Sequence, residues 1–219
     1  MLSAMKVTEI PIVVTLEPSL ETEYLGLLNE YFAAAERNSR VSSIEAKKRL
    51  MAIKDVMTEL CNRNPNKLER LNEVIGKVRD KREKLAIISK SAAAAAELHE
   101  RLTAAWSQES VLFLSAELSV HQANQLIDQF NKHPDSTVLI LTDAASTGLD
   151  VTAANHLVHY DYPSRYLDML QRHNRMTRQT SQHREAWVYY LMTSGKIDEF
   201  DYGECMAERS IRQRANPTA

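Results

Sequence analysis

The stretch Thr137-Val-Leu-Ile-Leu-Thr-Asp-Ala-Ala-Ser-Thr-Gly-Leu-Asp150 decides how this chain is read. Its first part, Thr137 to Thr142, is a continuous apolar run of strand length, the pattern of a strand covered on both faces. Its second part is a polar loop containing the one glycine of the segment, Gly148. Working outward, Ser119 to Asn131 reads as a helix and Val111 to Ser115 as a strand. The run Ala92 to Ala96 lies in a helix, as befits the best helix former, and Leu85 to Ser89 is another strand. On the other side come a strand His156 to Tyr160, a helix from Ser164 to about Arg178, a strand Ala186 to Met192 and a final helix from about Lys196. Strands separated by helices of about 10 to 15 residues indicate βαβ units and a mostly parallel sheet.

Before this region the texture differs. Pro11 to Leu16 is a short β-branched run, and Pro18 and Ser19 then open an amphipathic pattern through Leu20, Tyr24, Leu27, Leu28, Tyr31, Phe32 and Ala35. A second helix is marked by Ile44, Leu50, Ile53, Val56, Met57 and Leu60. Asn64-Pro65 interrupts it and starts a third with Leu68, Leu71, Val74, Ile75 and Val78. The expected organisation is a helical extension over residues 1–80 and an α/β domain over 81–219.

Composition removes several function classes. The chain has 219 residues but only 5 glycines, whereas average usage would supply roughly 15. No two of them have the spacing required by a Walker A loop, a dinucleotide fingerprint or a nucleophile elbow. The only Asp-Glu pair, Asp198-Glu199, follows no apolar strand directly, so no Walker B box is legible. With 27 basic and 29 acidic residues, no global positive field announces nucleic acid, although a local patch stays open. No apolar run reaches the roughly 20 residues of a membrane span, no signal peptide is legible, and Cys61 and Cys205 are too distant in sequence to form a disulfide framework. A soluble intracellular protein is expected, cytoplasmic or nuclear. His156 and His159 point to opposite faces of their strand and the other histidines lack ligand-like company, so no metal site is expected. Trp106, Trp187, Tyr189 and Tyr190 read as core or interface packing.

Open parallel sheets bind ligands beyond the carboxyl ends of their strands. Two segments there are rich in polar groups. Residues 142–150 fit either an ordinary βα loop or a phosphate-contacting loop, in which Gly148 allows close backbone approach and Asp150 accepts hydrogen bonds. Gln171-Arg-His-Asn-Arg175-Met-Thr-Arg178 places Arg175 and Arg178 on one helical face, which fits either a solvated basic face or an anion site.

These segments carry a family resemblance. Val138 to Val151 resembles motif V of superfamily-two helicases, and Gln171 to Arg178 resembles motif VI. The initial Gln171, the Arg-x-x-Arg spacing, Gln182, Tyr160-Asp161 and Thr193-Ser-Gly195-Lys-Ile197-Asp-Glu199 are similar to the Swi/Snf type. Leu85 to Ser91 resembles the strand opening the second RecA-like lobe, and Cys61-Asn62 with Pro65, Lys67, Leu68 and Leu71 resembles the segment preceding it. Ala116 and Ala123 stand where the family usually has Gly and Arg.

The resemblance implies an α/β fold with a mostly parallel RecA-like sheet flanked by helices. It implies a second lobe of a DNA-dependent ATPase or translocase. ATP and Mg²⁺ would be bound by an N-terminal RecA-like lobe, from the same or a separate chain, with Arg175 and Arg178 acting on the transferring phosphoryl group. Gly148, Asp150 and Gln171 would lie near the nucleotide, while Ser89, Lys90, Ser91 and Thr142 would face a nucleic-acid backbone, duplex DNA being favoured. A stand-alone binding module of the same fold, without catalysis, is the alternative.

Overall fold

The computed structural model describes residues 5–40, 43–145, 151–175 and 183–215. Six strands form one sheet: β1 (Lys6–Val14), β2 (Leu85–Ser89), β3 (Val111–Leu114), β4 (Val138–Thr142), β5 (His156–His159) and β6 (Glu185–Thr193). Their order is β1-β6-β5-β2-β4-β3, and every adjacent pair is parallel. The expected α/β fold with helices on both faces is thus present.

The helices are α1 (Pro18–Arg40), α2 (Ile44–Asn62), α3 (Pro65–Asp80), α4 (Ala92–Trp106), α5 (Val120–Lys132), α6 (Tyr166–Asn174) and α7 (Ile197–Ala215). Their starts have local chemical causes. Ser91 caps α4 by accepting from the Ala94 N–H, Ser119 and Gln122 form a reciprocal capping box on α5, and Asn64 caps α3 with Pro65 in its first turn. Gly195 has φ of +65° in the turn from β6 to α7, a conformation costly for any residue with a Cβ.

Alternation along the central strand divides the core. Ala86 and Ile88 join Phe130, Leu157, Met169 and Tyr190 on one face, whereas Leu85 and Ile87 join Leu71, Ile75, Leu98 and Leu102 on the other. Full burial of each large apolar side chain contributes about 1.5–3 kcal/mol. A third cluster, with Tyr24, Ile53, Met57, Leu60 and Ile197, seats the α1–α2 pair against α7.

The N-terminal run departs from its sequence reading in extent and partner. It starts at Lys6, ends at Val14, and pairs along its whole length with β6, so residues from the N-terminal segment complete the sheet. Pro11, which has no N–H to offer a ladder, is tolerated because β1 is an edge strand. Helix α6 is shorter than expected, running from Tyr166 to Asn174, with Arg175 as its αR C-cap.

One buried ion pair joins the N-terminal helices to the end of the sheet. Lys67 Nζ lies 2.8 Å from Asp198 Oδ2, and neither side chain exposes any surface. The ammonium also donates to Asn62 Oδ1 at 3.3 Å and sits 4.9 Å from the Tyr160 ring centroid. Asp198 additionally accepts from the backbone N–H groups of Thr193 and Glu199. Removing one partner of such a pair strands a charge in a medium that solvates it poorly. Asp198→Ala is therefore expected to lower the free energy of unfolding by about 3–5 kcal/mol in urea titrations; a loss below about 1 kcal/mol would contradict this account.

Candidate functional site

The carboxyl ends of β2, β4 and β5 lie side by side, and the chain leaves each into a polar loop. The ladder continues just beyond the strands, where the Asp143 N–H donates to Ser89 O at 3.3 Å and the Tyr160 N–H to Ile88 O at 3.0 Å. Two carboxylates, Asp143 and Asp161, are thereby fixed at neighbouring strand ends.

Between them α6 inserts the guanidinium of Arg172, which is 1% exposed. An arginine has five N–H donors in a fixed fork, and here each meets an acceptor. Nε and Nη2 donate to Asp143 Oδ1 and Oδ2 at 2.7 and 2.6 Å. Nη1 donates to the Asp161 carbonyl at 2.6 Å and faces His159 Nδ1 at 3.3 Å, and Nη2 reaches Asp161 Oδ1 at 3.5 Å. Burial disfavours the charge, but the hydrogen bonds and charges of Asp143 and Asp161 outweigh it and hold the Arg172 pKa above its ordinary value.

Asp161 is equally committed. Its carboxylate accepts from Ser89 Oγ at 2.5 Å, the Lys90 N–H at 2.7 Å and Asn62 Nδ2 at 3.2 Å. Through Asn62 this cluster reaches the Lys67–Asp198 pair. Polar groups from β2, β5, α2, α3, α6 and α7, with Asp143 and Asp161 just past β4 and β5, thus form one network that is buried except at Asp143.

Outside it lies a cleft of about 220 Å³ lined by Asp143, Pro163, Asp168, Gln171, Arg172 and Arg175. Both of its carboxylates are bound to arginines: Asp143 to Arg172, and Asp168 to Arg165 at 2.9 Å through two donors. Arg175 adds a further positive charge at this wall, so the lining can oppose an anion such as a phosphate.

The residues singled out from sequence are distributed unevenly around this centre. Gln171 and Arg175 line the cleft. Ser89 and Thr142 are buried: Ser89 binds Asp161, and Thr142 Oγ1 accepts from the Ala145 N–H at 3.2 Å. Lys90 and Ser91 are half-buried on the side toward α2, where Lys90 Nζ is 3.5 Å from Asp55 and the Ser91 hydroxyl bonds Glu59. Gly148, Asp150 and Arg178 lie outside the described residues. Sequence reasoning quoted Arg172, Asp143 and Asp161 within the motif segments but gave none of them a role; the available signal was an acidic residue just past each of two apolar strands, with an arginine in the helix that follows. Among the described residues, no group of three or more His, Cys, Asp or Glu side chains could hold a metal ion, and no helix is long and apolar enough to cross a membrane.

Comparison with known proteins identifies the family and the fold. The model of the helicase conserved C-terminal domain matches residues 66–180. YwqA of Bacillus subtilis, provisionally named an ATP-dependent helicase/translocase, is 31% identical over 147 residues. That match covers 67% of this chain and 16% of YwqA, so the chain spans about a sixth of that relative. The SWI2/SNF2 ATPase core of Sulfolobus solfataricus, solved with double-stranded DNA, superposes with a TM-score of 0.76 at 21% identity over 94% of this chain and 45% of its own. The C-terminal domain of a SWI2/SNF2 ATPase from the same organism gives 0.73 at 18% identity over 94% and 87%. At these identities the likeness is one of fold.

Two histidines beside Arg172 make the network acid-sensitive. Burial, joined by the positive charges of His173 and Arg172, keeps the His159 pKa well below its ordinary value. Burial likewise lowers His173 to about 4, with Glu9 opposing and Arg209 and Arg172 reinforcing it. As pH falls below about 6.5, the unfolded chain takes up protons that the folded chain refuses, so stability declines until the folded pKa is reached. Urea titrations should show unfolding free energy decreasing from pH 7 to 4, by up to about 1.4 kcal/mol per pH unit for each such histidine. His173→Gln should make the decline shallower; an unchanged slope in that variant would refute its part.

Proposed function

The chain belongs to the helicase conserved C-terminal domain family, and from that premise we propose that it is the second RecA-like lobe of a Swi2/Snf2-like, DNA-dependent ATPase or translocase. The observation that carries this reading is the placement of two arginines at the end of α6. Arg172 spends all five donors inside the lobe, and Arg175, the C-cap of that helix, lines the cleft.

In this reading ATP and its Mg²⁺ sit on a first RecA-like lobe, which supplies the phosphate loop and the acidic box that this sequence lacks. Closure of the lobes brings Arg175 and Arg178 to the γ-phosphoryl group, where a guanidinium offsets charge developing on the phosphoryl oxygens. Gln171 orients that site, and Gly148 and Asp150 lie near the nucleotide. Along the nucleic-acid path, Lys90 and Ser91 offer polar atoms to a backbone at the N-terminus of α4. The buried Ser89 and Thr142 hold the shape of the strand ends behind them. Duplex DNA is the favoured nucleic acid, and the protein works inside the cell.

One observation favours a second reading. Asp55 and Glu59 of α2 already engage Lys90 and Ser91, as would suit a binding module that has given up the nucleic-acid path.

ATP hydrolysis by the chain mixed with a Walker A-bearing first lobe, with and without duplex DNA, separates the two. The chain alone should show negligible turnover, and the mixture should show DNA-stimulated turnover. Arg175→Ala and Arg178→Ala should each reduce it by about 10³ or more. Binding without turnover supports the module, and DNA-stimulated hydrolysis by the chain alone overturns the motor reading.

A further inference from the structure

The network around Arg172 continues past it into a part of the lobe that no nucleotide or nucleic-acid role accounts for. His159, fully buried at the end of β5, presents Nδ1 to Arg172 Nη1 at 3.3 Å and Nε2 to His173 Nε2 at 3.0 Å. Its ring lies among those of Tyr190, Tyr162 and His173, with centroids 5.2, 6.2 and 5.0 Å away. Tyr190 donates to Glu9 Oε1 at 2.8 Å, and both Glu9 oxygens accept from Arg209 at 2.8 Å. The Tyr202 ring of α7 closes the group, 4.9 Å from Tyr190.

Donor and acceptor balance leaves one arrangement of protons. A guanidinium only donates, so His159 Nδ1 must carry a lone pair, and the neutral ring then holds its proton on Nε2. That N–H points at His173 Nε2, which must accept, so His173 carries its proton on Nδ1. Tyr190, 3.4 Å from the same occupied nitrogen, directs its proton to Glu9. A proton added to His173 goes to Nε2 and sets two N–H groups against each other at 3.0 Å, and one added to His159 goes to Nδ1 and sets an N–H against the Arg172 guanidinium at 3.3 Å.

We propose that His159 is the positioning residue for Arg172, and that the tautomer-locked His159–His173 pair holds the guanidinium in the plane in which it spans Asp143 and Asp161. The groups facing the pair set the limits of this lock: Arg172 on α6, Asp143 after β4, Asp161 and Tyr162 after β5, Tyr190 on β6, Glu9 on β1, and Tyr202 and Arg209 on α7. Without the His159 acceptor one Nη1 proton loses its partner, and the fork is free to rotate off Asp143. The strand-end loop that starts at Asp143 then loses its anchor. Any consequence for phosphoryl transfer rests on the function proposed above, whereas the placement of Arg172 does not.

The test is nitrogen-15 NMR on the whole chain. At pH 7 long-range proton–nitrogen spectra should show His159 protonated on Nε2 and His173 on Nδ1, both neutral. The Arg172 Nε–H should exchange slowly. His159→Asn, whose Oδ1 can stand in for Nδ1, should retain slow exchange, while His159→Leu should accelerate it at least about tenfold. A Nδ1–H tautomer or an imidazolium at His159 overturns the proposal, as does unchanged Arg172 protection in His159→Leu. If His159→Leu does not fold, the wild-type tautomers and the His159→Asn exchange rate still decide the matter. Absence of ATP turnover with a first lobe would count against the motor reading and leave these spectra unaffected.

Discussion

A single guanidinium organises the functional edge of this lobe. Arg172 is buried, charged and supplied with an acceptor for each of its donors by Asp143, Asp161 and His159. Removing an ion from water costs several kcal/mol even after local relaxation, so such a group is tolerated only when its whole complement of partners is present. That condition adds directional bonds between elements that already share the apolar core. Asp143 follows β4, Asp161 follows β5, Ser89 ends β2, and Asn62 carries the connection to Lys67 and Asp198 at the start of α7. The strand ends are consequently locked relative to one another by directional bonds, while the hydrophobic layers on the two faces supply most of the cohesion.

The same coupling reaches the edge strand of the sheet. Glu9 of β1 receives bonds from Tyr190 and Arg209, and the 3.0 Å His159–His173 contact brings that outer group to Arg172. The α1–α2 pair is seated on α7 through Lys54, 2.6 Å from the buried Asp201, and through the apolar cluster around Met57 and Leu60. Elements on both sides of residue 80 thus contribute to one edge of the sheet and to one polar network.

Much of the fold is legible in the sequence because its causes are local. The strands β2, β3 and β4 are nearly unbroken apolar runs, and the two helices between them begin at Ser91 and Ser119, whose side chains cap them. The pairing of β1 with β6 was not legible, since it joins segments roughly 180 residues apart and nothing in a short run at the N-terminus names its partner. At the site, Gln171 and Arg175 were read in the segment that lines the cleft. The distinction between Arg172 and Arg175 was hidden: both are arginines three apart in what reads as one helix, whereas α6 ends between them, at Asn174. Burial of Ser89 and Thr142 was hidden for a similar reason. A polar residue at a strand end is equally compatible with solvent, a ligand or an inward carboxylate, and Asp161, distant in sequence, decides the case for Ser89.

In the motor reading proposed above, the end of α6 divides two tasks. Arg172 fixes the loops, and Arg175 at the cleft wall, with Arg178 further along the chain, meets what another lobe carries. The most direct measurement of that claim is the affinity of the chain for a Walker A-bearing first lobe loaded with Mg²⁺, ADP and aluminium fluoride, a mimic of the phosphoryl group in transfer. The account predicts that aluminium fluoride tightens binding and that Arg175→Ala abolishes the increment while leaving the fold intact. Equal affinity with ADP alone and with the fluoride complex would contradict it.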